Sequence, residues 1–325
     1  GVERYQTTKE TEDILVLSAV ATAVIAWEVL PPKLNPVIRS IMNSVKYEEN
    51  VDLQARSATA VARFLELCSR PGARANPSAK IVKNLCAFVC QDTSHTAVFA
   101  EAKAQTERIY TLATLDTPRK PPAKGKYAEL AAPEDTGLQV SRLIRRGADQ
   151  ALQQICVQFG AALWERVPAL WEGSVQPLLD TFADGRTADL AADDALGQAV
   201  LDACSVCEAI VPHLDAALHA TLMPLLTTLV NVTQSSVAVV RAAGARCYSV
   251  LTRALTDPAM HALVERVVPL LGDAAHVVHR QGAIETLSHT VRALDDRLLP
   301  YVIFLVVPVL GRMSDSDEDV RLLAT

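Results

Sequence analysis

From Leu218 to Thr325 the sequence repeats one pattern three times. An apolar stretch containing proline comes first: LHATLMPLLTTLVNV, LVERVVPLLG and LLPYVIFLVVPVLG. A short polar turn follows, then a more mixed stretch: SSVAVVRAAGARCYSVLTRAL, AAHVVHRQGAIETLSHTVRAL and DEDVRLLAT. Gly244-Ala245 and Gly282-Ala283 hold the same place in successive second stretches, 38 residues apart. One such pair cannot cover its own apolar face, so the chain must bury it by stacking each pair on the next. The Gly-Ala step marks where a facing helix comes close, because interaxial distance depends on the side chains at the crossing.

The stretches are helices. Half of the residues are hydrophobic but only 5% are aromatic, and Ala, Leu and Val dominate. Hairpin dipeptides are scarce, Asp184-Gly185 being the one case, and that mix is helical throughout. A period near 40 residues made of helix pairs is the signature of a HEAT or armadillo array. The expected fold is therefore all-α, a HEAT/armadillo-like α-solenoid forming a right-handed superhelix of antiparallel helix pairs. At 325 residues the chain exceeds a usual single core, as an open array does. A net charge of −6 argues against a chain-wide nucleic-acid footprint. Seven cysteines, an odd number without a signal peptide, fit a reducing compartment. The apolar runs Ile14–Trp27 and Leu298–Leu310 fall short of the roughly 20 residues a membrane span needs, and they are expected as fully buried helices of a soluble chain.

The amino-terminal part follows the same plan. Thr7 and Glu10 have capping-box spacing ahead of a helix running to Leu30. Pro31-Pro32 stop it, and Asn35-Pro36 start the next, with Asn35 expected as N-cap. Its partner places Ala58, Val61, Ala62, Leu65 and Cys68 on one face. From Ser141, the residues Ile144, Ala148, Ala151, Leu152, Ile155, Cys156 and Phe159 form another stripe, closed by Gly160. Between them the pattern fades, and TPRKPPAKGK (Thr117–Lys126) reads as a linker. The expected organisation is HEAT-like repeats over 1–94, a poorly ordered basic, proline-rich linker over 95–140, and HEAT-like repeats over 141–325. The last repeat is expected to be truncated, as in a piece cut from a longer protein.

No catalytic constellation is legible. Cys204 and Cys207 with His213 and His219 have the residue types of a zinc site, but the cysteines fall on a helix rather than a tight turn. They are expected as buried thiols. His276, His279 and His289 have no acidic residue at ligand spacing beside them and are expected on a solvated ridge. Gly125-Lys126 lacks the earlier glycine and the following Ser or Thr of a phosphate loop. No metal, catalytic or cofactor-binding residue is assigned. Arg241 and Arg321, each after a valine near the start of a second helix, are expected to bond the preceding turn. Arg142, Arg145 and Arg146 are the densest basic group in ordered chain. With Arg119, Lys120, Lys124 and Lys126 of the linker they are the candidate partner-binding residues, for phosphate or an acidic surface.

Five blocks go beyond a generic repeat: LPPKLNPVIRSIMNSVKYEEN with QARSATAVARFLELC, SAKIVKNLCAFVC, RRGADQALQQICVQFG, GAIETLSHTVRALDDRLLPYV, and YVIFLVVPVLGRMSDSDEDVRLLAT. In this order they resemble the modifier-of-transcription family, the TATA-binding-protein-associated Swi/Snf-type ATPases. The resemblance implies the central part of a long HEAT array, a region catalogued as a domain of unknown function. It implies a nuclear protein whose amino-terminal repeats grip TATA-binding protein and whose carboxy-terminal motor uses ATP and magnesium. That motor is absent here, so this segment is expected to be no enzyme and to carry no cofactor. Its expected role is to connect and position the factor-binding repeats and the motor, as a monomer away from any membrane. The alternatives are a direct docking surface for TATA-binding protein, its corepressor NC2 or promoter DNA, or an unrelated importin- or phosphatase-type scaffold.

Overall fold

The computed structural model describes residues 11–28, 30–70, 76–91, 95–97, 99, 116–118, 136–182, 190 and 193–325. They belong to two compact units, one of Gly1–Ser94, Arg119–Gly173 and His213–Asp215, the other of His95–Pro118, Ser174–Pro212 and Ala216–Thr325.

In the first unit, α1 (Thr11–Ala26), α2 (Asn35–Tyr47) and α3 (Val51–Cys68) pack on one another, and α5 (Thr136–Phe159) lies across α3 and α2. The short helix α4 (Ser78–Val89) packs between α5 and α7 (Pro168–Glu172), which follows α6 (Leu163–Arg166). The sequence stripes are the buried faces. All five residues named on α3 are buried, as are all seven on α5. Each fully buried Leu or Ile removes enough apolar surface to contribute about 2 kcal/mol. Gly160 ends α5 at φ +49°, the left-handed position where glycine carries no Cβ penalty. Trp164 and Trp171 meet edge to face at 5.3 Å.

Two details differ from expectation. Asn35 lies inside α2, whose N-cap is Leu34 with no side-chain bond, while Pro36 supplies the pre-set first turn. The side-chain cap is made one helix later, where Asn50 Oδ1 accepts from the amides of Asp52 and Leu53. The capping-box residues Thr7 and Glu10 lie outside the described residues.

The second unit is a two-layer stack. One layer runs α9 (Asp194–Ile210), α11 (Ala238–Ala254), α13 (Val277–Leu294) and α15 (Glu318–Ala324), each packed on the next. The other runs α8 (Val175–Thr181), α10 (Met223–Val232), α12 (Thr256–Ala262) with its continuation to Gly272, and α14 (Val302–Arg312). Adjacent members of both layers alternate as antiparallel-style helix pairs, which is the solenoid the repeats specify. The proline-containing helices are broken: 3-10 turns at Ala216–Leu222, Val268–Gly272 and Asp295–Tyr301, and a π turn at Leu263–Val267, sit beside Pro224, Pro269 and Pro300. Proline lacks the amide that continues an α-helix, so the chain takes a different helical register there. Two three-residue strands, β1 (His95–Ala97) and β2 (Asp116–Pro118), pair antiparallel with Thr96 opposite Thr117.

The two apolar runs are not fully buried. Residues Val16 and Val20 of α1, Trp27 just after it, and Ile303, Phe304, Val307 and Leu310 of α14 are exposed. One side of α14 packs on Val268–Gly272 and α15, and only Leu305 of that helix is buried. By length and hydropathy, one segment among the described residues, Asp194–His213, would reach across a membrane. Its helix α9 packs in the stack against α8 and α11.

Candidate functional site

Arginines at the turn edge hold each unit together. Arg241, Arg280 and Arg321 each stand at the fourth position of α11, α13 and α15, where a long side chain reaches back over its own turn. Arg241 donates to the carbonyls of Ser235 (2.8 Å) and Ser236 (3.1 Å). Arg321 donates to those of Asp315 (2.6 Å) and Ser316 (3.0 Å). Both therefore do what their spacing predicts. Arg280 was not legible because His279 replaces the valine before it; its guanidinium donates to the Asp273 carbonyl at 2.7 Å and to both oxygens of Asp315 at 3.1 Å. Arg241 also donates to Gln281 Oε1, and Gln281 Nε2 donates to the Asp317 carboxylate. Side chains thus run unbroken from one turn to the next across three repeats.

Within each unit, glycine steps bring helices close to earlier chain. A Cβ on Gly282 would lie 1.7 Å from the Thr233 carbonyl oxygen, and one on Gly147 would lie 1.9 Å from that of Val45. On Gly244 it would meet Val232 Cγ1 at 2.6 Å.

Arg142, Arg145 and Arg146 differ in exposure. Arg142 and Arg145 are exposed. Arg146 is half-buried and spent internally, donating to Gln54 Oε1 at 2.6 Å and to the carbonyls of Glu48 and Glu49. Gln54 in turn donates to the Val45 and Leu143 carbonyls. Arg145 faces Asp149, whose carboxyl burial pushes up while the arginine opposes that shift. Arg119, Lys120, Lys124 and Lys126 lie outside the described residues.

The cysteine pair is enclosed. Cys204 and Cys207 are both fully buried, and Cys204 interacts with Cys247 of α11, a partner the sequence spacing could not reveal. That hydrogen bond, together with burial, pushes the Cys204 thiol well above its ordinary value, so it stays protonated.

The histidines need correction. His289 is half-buried rather than on a solvated ridge, and burial followed by Arg246 and Arg292 lowers its pKa. His276 and His279 do have an acidic neighbour: Asp273 Oδ2 lies 3.0 Å and 2.8 Å from their Nδ1 atoms. The turn before α13 folds Asp273 back over the first helical turn, which brings its carboxylate to both rings. Hydrogen bonds from His276 and His279 hold the Asp273 carboxyl well below the usual carboxylate range. Next to this edge, burial pushes Glu285 up to about 7, against the opposing pull of Arg241 and Arg246.

Stacked helix pairs with braced turns define a helical-repeat protein. The chain belongs to the family described as "Domain of unknown function (DUF3535)", whose model matches residues 1–173. It is 39% identical over 327 residues to the TATA-binding protein-associated factor mot1 of Aspergillus fumigatus, covering 100% of this chain and 17% of that protein. It is 37% identical to the protein of that name in Schizosaccharomyces pombe, over 99% of this chain and 17% of the relative. With human TATA-binding protein-associated factor 172 it shares 30% identity over 94% of this chain and 19% of that protein. These homologues carry the family that the five sequence blocks resemble, and the chain spans less than a fifth of their length. A solved chain from work on Kap95p and RanGDP overlaps 99% of this chain at 11% identity and a TM-score of 0.47, too low to bear on function.

Proposed function

We propose that the chain is a non-catalytic scaffold segment of a nuclear TATA-binding-protein-associated transcription regulator, setting distance and angle between factor-binding repeats and an ATP-driven motor elsewhere in the protein. The observation that carries this reading is the turn-edge lattice. Arg241, Gln281 and Asp317 join three successive repeats, and Gly282 seats α13 directly on the Thr233 carbonyl. A stack tied in this way resists bending between neighbours, which is what a spacer requires. The chemistry of the whole protein, with its ATP and magnesium, lies on this reading outside the segment. Excising one helix pair, Leu218–Leu255, from the full-length protein is expected to leave ATP hydrolysis intact and slow displacement of TATA-binding protein from DNA at least tenfold. Displacement at the normal rate would remove the spacer reading.

A second reading, direct docking on TATA-binding protein, NC2 or promoter DNA, draws on the exposure of Arg142 and Arg145. Reversing both to Glu, with Arg146 left in its internal role, is expected on that reading to weaken binding several-fold at low salt and little at high salt, since exposed charges are screened. Pull-downs at two salt concentrations measure it, and binding equal to wild type at both rules the surface out.

A further inference from the structure

We propose that Asp273, His276 and His279 form a binding site for one borderline divalent transition cation, of the zinc(II) class, at the turn entering α13. The three donor atoms lie within 4.8 Å of one another. Both imidazoles direct Nδ1 at the same carboxylate oxygen, at 3.0 and 2.8 Å, and the rings lie 4.7 Å apart at 33°. With metal–nitrogen and metal–oxygen bonds of about 2.1 Å, tetrahedral ligand atoms sit roughly 3.4 Å apart. The two nitrogen–oxygen separations therefore need to open by roughly half an ångström, and no two of the three donor atoms are more than 4.8 Å apart. Each ring takes its Nε2–H tautomer on binding, which turns the Nδ1 lone pair inward without net loss of a proton.

The carboxylate is already fixed for this task. Its other oxygen, Oδ1, accepts from the amides of Ala275 (2.9 Å) and His276 (3.0 Å), which leaves Oδ2 free to face the imidazoles. Arg280 clamps the Asp273 carbonyl. Outer bonds of this sort orient metal ligands and raise affinity. A helix N-terminus repels cations, but the Asp273 carboxylate placed just before it supplies the opposing negative charge, and Arg280 is paired with Asp315. Two imidazoles and one carboxylate suit zinc, nickel, cobalt or copper rather than calcium or magnesium, which demand oxygen ligands. Three protein ligands leave a coordination position open to water. His276 is 62% exposed on its side chain, so the site is reached from solvent and its ring is free to adjust. The enclosed thiols of Cys204 and Cys207 offer no such access.

Titration of the 325-residue chain with zinc chloride by calorimetry, and with cobalt chloride by visible absorption, tests the assignment. The expected result is one equivalent bound, with a cobalt spectrum free of a thiolate charge-transfer band. His276→Ala, at an exposed position, is expected to weaken binding at least about tenfold, and H276A/H279A to abolish it, with the circular dichroism of both unchanged. The proposal is overturned if wild type binds no zinc at millimolar concentration, if the double variant keeps its equivalent, or if a sulfur-to-cobalt band marks cysteine as the ligand.

Discussion

Gly282→Ala is expected to destabilise the second unit by about 3 kcal/mol or more, at the top of the range for overpacking. The new Cβ would sit 1.7 Å from the Thr233 carbonyl oxygen and 2.8 Å from its carbon. Neither is the tip of a flexible side chain, so relief requires moving α13 away from the end of α10. That movement also strains the Arg241–Gln281 hydrogen bond, since Gln281 precedes the glycine. Gly311→Ala provides the contrast: its Cβ would meet nothing within 4 Å inside α14. Replacing an unobstructed helical glycine should raise stability by up to about 1 kcal/mol. Urea denaturation followed by far-ultraviolet circular dichroism separates the two. A Gly282→Ala protein as stable as wild type would mean that backbone contact at this step does not hold the stack.

Asp315→Ala should cost about 3–5 kcal/mol, the range found when one member of a buried ion pair is removed. Arg280 and Asp315 are 7% and 2% exposed on their side chains and share two hydrogen bonds. Truncating the aspartate leaves a buried guanidinium without its counter-ion, with the Asp273 carbonyl and the Ser316 hydroxyl as its remaining acceptors. It also removes the acceptor for the Asp317 amide. Arg312→Ala removes only the outer, 29% exposed partner of the same carboxylate and should cost about 0.5 kcal/mol. The pH dependence has a definite sign. Burial acts to raise the Asp315 pKa, but the Asp317 amide, Arg280 and Arg312 outweigh it, and the carboxyl ends below its ordinary 3.8. A depressed carboxylate contributes stability that is present above that value and lost as pH falls through the folded pKa. Acid unfolding should therefore steepen below pH ~4 in wild type and less so in Asp315→Asn. Equal losses from Asp315→Ala and Arg312→Ala would contradict a buried, coupled pair.

The sequence was legible wherever one helix faces one neighbour. The stripes on α3 and α5, the left-handed Gly160, the Gly-Ala steps, and Arg241 and Arg321 over their turns all follow from the 3.6-residue period and local reach. Arg241 and Arg321 bond turns only five or six residues away, and the stripes and glycine steps mark which face is covered without needing to say what covers it. The family was legible for a different reason, because five blocks in fixed order carry far more information than one repeat.

What required the tertiary structure was every relation that passes between repeats or depends on how a turn folds back. Proximity of Cys247 to Cys204 follows from the packing of α11 on α9. The Arg280–Asp315 pair joins residues 35 positions apart, and Arg146 finds Gln54 across two helices. Asp273 meets both histidines only because its turn bends over the start of α13. By itself the sequence determined that helices pair and stack, since apolar periodicity leaves a repeat no other way to bury its face. Which charges end up buried, braced or poised for a cation was decided by the stacking offset between neighbouring pairs, a quantity set by close packing of whole helices that no local spacing encodes.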